Sequence, residues 1–175
     1  GWYFYLTGGA IRVQHPMISG TMNSAGTIDD DAWHHLLVTC AGGSGVSSET
    51  KLYIDGSLDV TKTNVEGNEY EPTTDALSVA HSDIWNGYHI EAQIDEISFW
   101  TNALTAAEVT QIYNSGEPID LSSDSGNYVS SANLQHWWRM GDGDIYPTIE
   151  DNAGSLDGTM TNMVSGDIEE DVPAA

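Results

Sequence analysis

A change of period in the second half of the chain constrains the fold more than any other feature. Residues 92–100 alternate. Ile94, Glu96, Ser98 and Trp100 fall on one face, and Gln93, Asp95, Ile97 and Phe99 on the other. That two-residue repeat, rich in β-branched and aromatic side chains, marks a strand. Beyond Leu104 the repeat lengthens. Thr105 followed by Glu108 is a capping-box pattern, in which each side chain satisfies an orphan amide at a helix start. Leu104 and Val109 stand where a hydrophobic staple packs, and Gly116 and Pro118 are stop signals. The pattern predicts a long strand from Tyr88 to Trp100 running into one short helix near 105–115.

The rest of the chain reads as short strands separated by turns. Ala10 to Gln14 alternates, and Trp33 to Ala41 is apolar on both faces, the pattern of a central strand. Leu52 to Ile54, Asp55-Gly56 and Ser57 to Thr63 read as a hairpin, because Asp-Gly readily takes the positive φ of a tight turn. Eighteen glycines and a single helix signal place the chain among all-β folds: an antiparallel β-sandwich jelly roll with one short α-helix. Its 175 residues suit one domain with a sizeable core.

Three blocks carry a family resemblance. They are Asp31-Ala32-Trp33-His34-His35-Leu36-Leu37-Val38-Thr39, Lys51-Leu52-Tyr53-Ile54-Asp55-Gly56, and the Ile94-Asp95-Glu96 strand with its Ala103-Leu104-Thr105 helix start. In this order they resemble the laminin G-like, or concanavalin A-like lectin/glucanase, jelly-roll family. The resemblance implies a sandwich, and carbohydrate binding as the commonest activity. It also implies a structural calcium near Asp95 and Asp151, with Asp157 as a third candidate. The competing reading has Asp95 accepting hydrogen bonds from backbone amides in a turn. A sugar platform needs an exposed aromatic face among polar side chains. His81, Asp83, Trp85, Asn86 and Tyr88 offer that combination, and the competing reading has Trp85 as a rim residue covering a sheet edge. Trp33, Trp100, Trp137 and Trp138 read as core or interface residues.

The C-terminal third is out of the family's order. Leu134 to Asp144 resembles the Trp-containing strand and Gly/Asp turn with which these jelly rolls begin, and Asp151 to Met160 resembles a shortened Asp-x-Ser-Gly segment. The chain also begins inside a strand-like stretch without a Met, and we read it as a fragment or processed piece. The C-terminal segment could open a following repeat or supply the missing first strands in permuted order, or an upstream domain cut from this chain could have supplied them. We expect 132–163 to complete the sandwich of a 1–131 core, because Leu134, Trp137, Trp138 and Met140 are too apolar to leave in water. We expect 164–175 to be an acidic tail. Residues 117–131 read as a linker or a long excursion. The Trp-Arg-Met-Gly-Asp-Gly-Asp piece after a laminin G-like core also resembles structural proteins of marine tailed phages.

Charge and chemistry narrow the function. Four basic residues against twenty-seven acidic ones give a formal charge of −23. Nucleic-acid binding requires a basic surface that displaces counterions, so it is excluded. No apolar run is long enough for a helix that crosses a membrane. Cys40 is alone, so no intrachain disulfide forms. The laminarinase-type relatives place two Glu on one strand as Glu-x-Asp-x-Glu. Here that strand reads Gln93-Ile94-Asp95-Glu96-Ile97, and the pair is missing. His34 and His35 are neighbours on a strand-like stretch, so they point apart and cannot share an ion. We expect a non-enzymatic jelly-roll module of an extracellular or virion-surface assembly, acting in adhesion or as a structural or decoration component. Its partners would be glycans or other subunits of a larger oligomer. The alternative is a carbohydrate-binding module of a larger secreted enzyme.

Overall fold

The strands that the sequence marks by alternation form antiparallel sheets in a computed structural model, which describes residues 2–14, 18, 20–41, 49–63, 77–79 and 92–169. The first sheet joins β1 (Tyr3–Thr7), β2 (Ala10–Gln14) and β3 (Met22–Asn23) in that order. The second joins β4 (Leu36–Ala41), β5 (Glu49–Ile54) and β6 (Ser57–Thr63). Asp55 (φ 50°) and Gly56 (φ 72°) make the turn of the predicted hairpin. Glycine is required at 56, since a Cβ there would lie 2.8 Å from the Tyr113 ring. β7 (Ile97–Trp100) pairs antiparallel with β8 (Leu134–Trp138), opposing Ser98 to Trp137 and Ile97 to Trp138. Two short strands, β9 (Thr148–Ile149) and β10 (Gly158–Thr159), close a small ribbon. Among the described residues the protein is an antiparallel β-sandwich with one short α-helix.

The middle sheet is buried on both faces, as the apolar pattern of β4 predicts. Leu36, Val38, Leu52, Ile54 and Val60 meet Ile11, Val13, Ile18 and Met22 on one side. Leu37 and Tyr53 point the other way, into a cluster with Leu104, Val109, Ile112, Leu134 and Trp137. Helix α1 (Ala106–Tyr113) thus packs its Val109–Ile112 stripe beside β8. Its start is the expected capping box: Thr105 Oγ1 accepts from the Glu108 amide at 3.3 Å, and the Glu108 carboxylate accepts from the Thr105 amide at 2.8 Å. The helix ends earlier than the stop signals suggest. Asn114 takes the left-handed conformation (φ 42°), which asparagine tolerates, and a 3₁₀ turn follows through Gly116.

Residues 117–131 are a folded excursion. Leu121 and Tyr128 are buried in the α1–β8 cluster. Tyr128 donates to the Leu121 carbonyl and accepts from Trp100 Nε1, both at 3.0 Å. Glu108 anchors the far end, accepting from Ser130 Oγ at 2.5 Å.

Two strand predictions need correction. The first strand of the hairpin sheet begins at Leu36 and not at Trp33: Asp31 is left-handed (φ 62°), and Trp33 is 40% exposed, outside the core. His34 instead bridges Asp30 Oδ1 (3.0 Å) and Asp55 Oδ2 (2.8 Å). The long strand begins only at Ile97, because Glu96 has φ 54° and leaves extended geometry. The predicted portion from Tyr88 to Glu91 lies outside the described residues.

Candidate functional site

The left-handed turn at Glu96 starts the site. It aims a carboxylate back at β8, where Glu96 accepts from Trp137 Nε1 at 2.5 Å and from Arg139 Nε at 3.1 Å. Arg139, just past β8, also donates through Nη2 to Asp142, and its guanidinium lies 5.4 Å from the Trp137 ring centre. An arginine has five N–H donors. Two are spent here, so among the described residues three remain for other partners. Burial opposes the charge on this guanidinium, but Glu96, Asp142 and Asp95 outweigh it and raise its pKa.

This fixed cation lines a concavity of about 330 Å³ together with Pro118, Ile119, Asp120, Trp137 and Asn152. Three segments build it: the excursion after α1, the end of β8, and the turn after β9. Trp137 borders it but is only 6% exposed, and Pro118 and Ile119 supply the apolar wall. Asp120 is a preset acceptor. The Ser122 hydroxyl (2.6 Å) and amide (2.9 Å) bond its carboxylate, Ser123 Oγ adds a third contact at 3.1 Å, and together they hold its pKa below the usual range. Asn152 is fixed through its amide on the Trp137 carbonyl (2.7 Å) and its side chain on the Glu150 carbonyl (3.2 Å).

The residues that the resemblance assigned to calcium do other work. Asp151 is fully buried as a side chain. Its carboxylate accepts from the amides of Trp137 (3.0 Å), Ala153 (3.2 Å), Gly154 (2.9 Å) and Leu156 (3.0 Å), and pairs with His136 Nδ1 at 2.7 Å. Burial would raise its pKa, but His136 and these amides hold it well below the usual carboxylate range. Asp157 accepts from the Asp151 amide at 3.1 Å. Asp95 accepts the Glu96 amide at 2.8 Å, and burial, with Glu96 and Asp142 nearby, pushes it up to about 7. Calcium requires about six to eight oxygen ligands. Among the described residues no three His, Cys, Asp or Glu side chains gather where they could hold an ion. Among the described residues Asp95, Asp151 and Asp157 are thus not gathered into one set of ligands, and Asp151 is committed to amides and His136.

The sequence-predicted sugar platform of His81, Asp83, Trp85, Asn86 and Tyr88 lies outside the described residues. The concavity described above was missed in the sequence. Its one available signal was Arg139, the sole basic residue beyond Lys62 in an acidic chain, placed directly after two tryptophans.

Comparison with known proteins decides the family. A model of the concanavalin A-like lectin/glucanases superfamily matches residues 1–110. The chain belongs to this superfamily. A Bacteroides ovatus protein named for inferred carbohydrate binding has a similar structure, with a TM-score of 0.62, 15% identity and 86% of this chain covered. The chain spans only 40% of that protein's length. An S-layer domain-containing protein from Clostridium thermocellum matches 60% of the chain and 52% of its own, with 19% identity and a TM-score of 0.35. No curated protein matches the chain significantly. The family match lends the tailed-phage resemblance no support. The concavity lies between residues 118 and 152, beyond the stretch that the superfamily model matches.

Proposed function

We propose that this superfamily member is a non-catalytic glycan-binding module that holds a larger extracellular polypeptide to a sugar-bearing surface. The observation that carries the reading is the Trp137–Arg139 concavity. A pyranose has an apolar C–H face and a ring of hydroxyls. Pro118 and Ile119 suit the first. Arg139, Asp120 and Asn152, each already fixed by other bonds, suit the second. Small-ligand pockets commonly combine an apolar lining with a few placed polar groups, over about 300–1,000 Å³. At the low end of that range this one suits a short stretch of glycan. The similarity to the Bacteroides protein supports the same reading at the level of fold.

The carboxylates support binding over hydrolysis. A retaining hydrolase needs two available carboxyl groups about 5–5.5 Å apart. Glu96 is tied to Trp137 and Arg139, and the strand position two before Asp95 is Gln93. A role as the carbohydrate-binding module of a larger secreted enzyme would use the same site, and the greater length of the Bacteroides neighbour is compatible with it.

A glycan array probed with the whole chain tests the reading, beside Asn152→Ala and Trp85→Ala. Binding lost in Asn152→Ala and kept in Trp85→Ala supports the concavity. Binding lost only in Trp85→Ala moves the site to the 81–88 stretch. No binding to any glycan sinks the proposal.

A further inference from the structure

We infer that the Trp137–Arg139 concavity accepts uncharged glycans and rejects anionic ones. This rests on the glycan-binding reading above and adds the class of sugar. The cavity contains one cation, Arg139, and that cation is already answered. Glu96 takes its Nε–H and Asp142 takes an Nη2–H. Asp120, at the rim, is a third carboxylate, and its hydroxyl and amide partners keep it ionised. One positive charge against these three negative ones leaves about −2 beside Arg139, to which Asp95, its carboxyl pushed up to about 7, adds a fraction, within a chain of formal charge −23.

A neutral hydroxyl is well served here. It can accept from an unspent guanidinium N–H, donate to Asp120, or meet the Asn152 amide. A sugar carboxylate or sulfate fares worse on two counts. Its charge adds to three carboxylates, and the Nε edge of the guanidinium, which offers the best bidentate fork, is occupied by Glu96. The guanidinium therefore acts as a set of neutralised donors and not as an anion trap. Asp120 is the specificity-determining group, because it is the rim carboxylate without an ion-pair partner among the described residues.

The test uses the full chain with laminarin, xylan, galactan and mannan, each beside its sulfated derivative, by affinity electrophoresis at 20 mM and 1 M NaCl. At low salt, neutral polysaccharides that bind should be held about tenfold more tightly than their sulfated partners, as expected for two net charges acting through a largely aqueous medium. At 1 M, where the screening length is about 3 Å, the gap should close to about twofold. Asp120→Asn keeps an acceptor and removes a charge, and should narrow the low-salt gap by about threefold. Tighter binding of a sulfated partner at low salt overturns the inference and leaves glycan binding standing. A gap that ignores salt and Asp120→Asn also overturns it, since rejection would then be steric. No retention by any of the eight polysaccharides, together with a silent array, overturns both.

Discussion

Asp151→Ala should cost the protein a large share of its stability while leaving the middle sheet untouched. The carboxylate gathers one strand and one turn: the Trp137 amide and His136 ring from β8, and the Ala153, Gly154 and Leu156 amides from the turn that it begins. Glycine at 154 is part of the arrangement, because a Cβ there would lie 2.5 Å from Asp151 Oδ2 and 2.7 Å from His136 Nδ1. Alanine removes all five partners. The residues donating from the turn are exposed, so their amides recover water, whereas the Trp137 amide is buried and does not. One orphaned buried amide costs about 1–3 kcal/mol, and three partly rehydrated bonds to a charged group add a further ~2 kcal/mol, for about 3–5 kcal/mol in total. Stabilities of single domains are about 5–15 kcal/mol. With a urea slope of about 2 kcal/mol/M, the midpoint should fall by about 2 M at unchanged slope. Urea unfolding followed by tryptophan fluorescence reads this directly, since Trp137 and Trp138 flank the clasp.

Acid supplies an independent check. The folded pKa of Asp151 is depressed, so its contribution is present above the unfolded value of about 3.9 and is lost as pH falls towards the lower folded value. Wild type should therefore lose stability below about pH 4 more steeply than Asp151→Ala. A variant that unfolds within about 0.3 M of wild type, and with the same acid profile, would refute the reasoning, because the five bonds would then contribute almost nothing.

Three further outcomes follow from the same contacts. Millimolar calcium should leave the thermal midpoint unchanged, and a rise that Asp95→Ala abolishes would restore the calcium reading of Asp95, Asp151 and Asp157. Asp95 has a folded pKa raised to about 7, so the folded state holds its proton more tightly than the unfolded chain. Stability should then decline between about pH 4 and pH 7, and Asp95→Asn should flatten that decline and stabilise the protein at pH 8, as read by thermal midpoints across pH. Deleting residues 132–175 removes β8 and uncovers Leu37, Tyr53, Trp100 and Tyr128. The product should bind a hydrophobic dye and unfold without cooperativity, and a cooperative 1–131 fragment would assign the removed strands to another unit.

What the sequence revealed and what it hid divide along the distance over which each feature is determined. The Thr105–Glu108 cap, the Asp55-Gly56 hairpin and the two-sided burial of β4 follow from neighbours in sequence, and each was legible. Glu96 was not. Local alternation assigns it to a strand, but its partners Trp137 and Arg139 lie 41 and 43 residues away, and its backbone turns left-handed at the point where its side chain meets them. Trp137 was legible as core and invisible as a cavity edge, because both roles require one apolar residue in a strand. Asp120 and Asn152 carried no signal, since a single acid or amide in a polar loop looks the same whether or not an arginine stands opposite.

The scarcity of cations links these observations. Lys51 pairs with Glu49, Lys62 donates to the Thr21 carbonyl, and Arg139 is divided between Glu96 and Asp142. Each of these three is engaged, so a chain with twenty-seven acidic residues against four basic ones has little internal relief. Such a surface resists collapse by self-repulsion and repels any partner of the same sign. An uncharged glycan is the class of partner that adds nothing to that repulsion. It needs no counter-charge from the protein, only donors and acceptors held in place, and Arg139, Asp120 and Asn152 are held by bonds that exist before any ligand arrives. That acidity is thus compatible with binding a neutral sugar at a site whose one cation among the described residues is already answered by carboxylates.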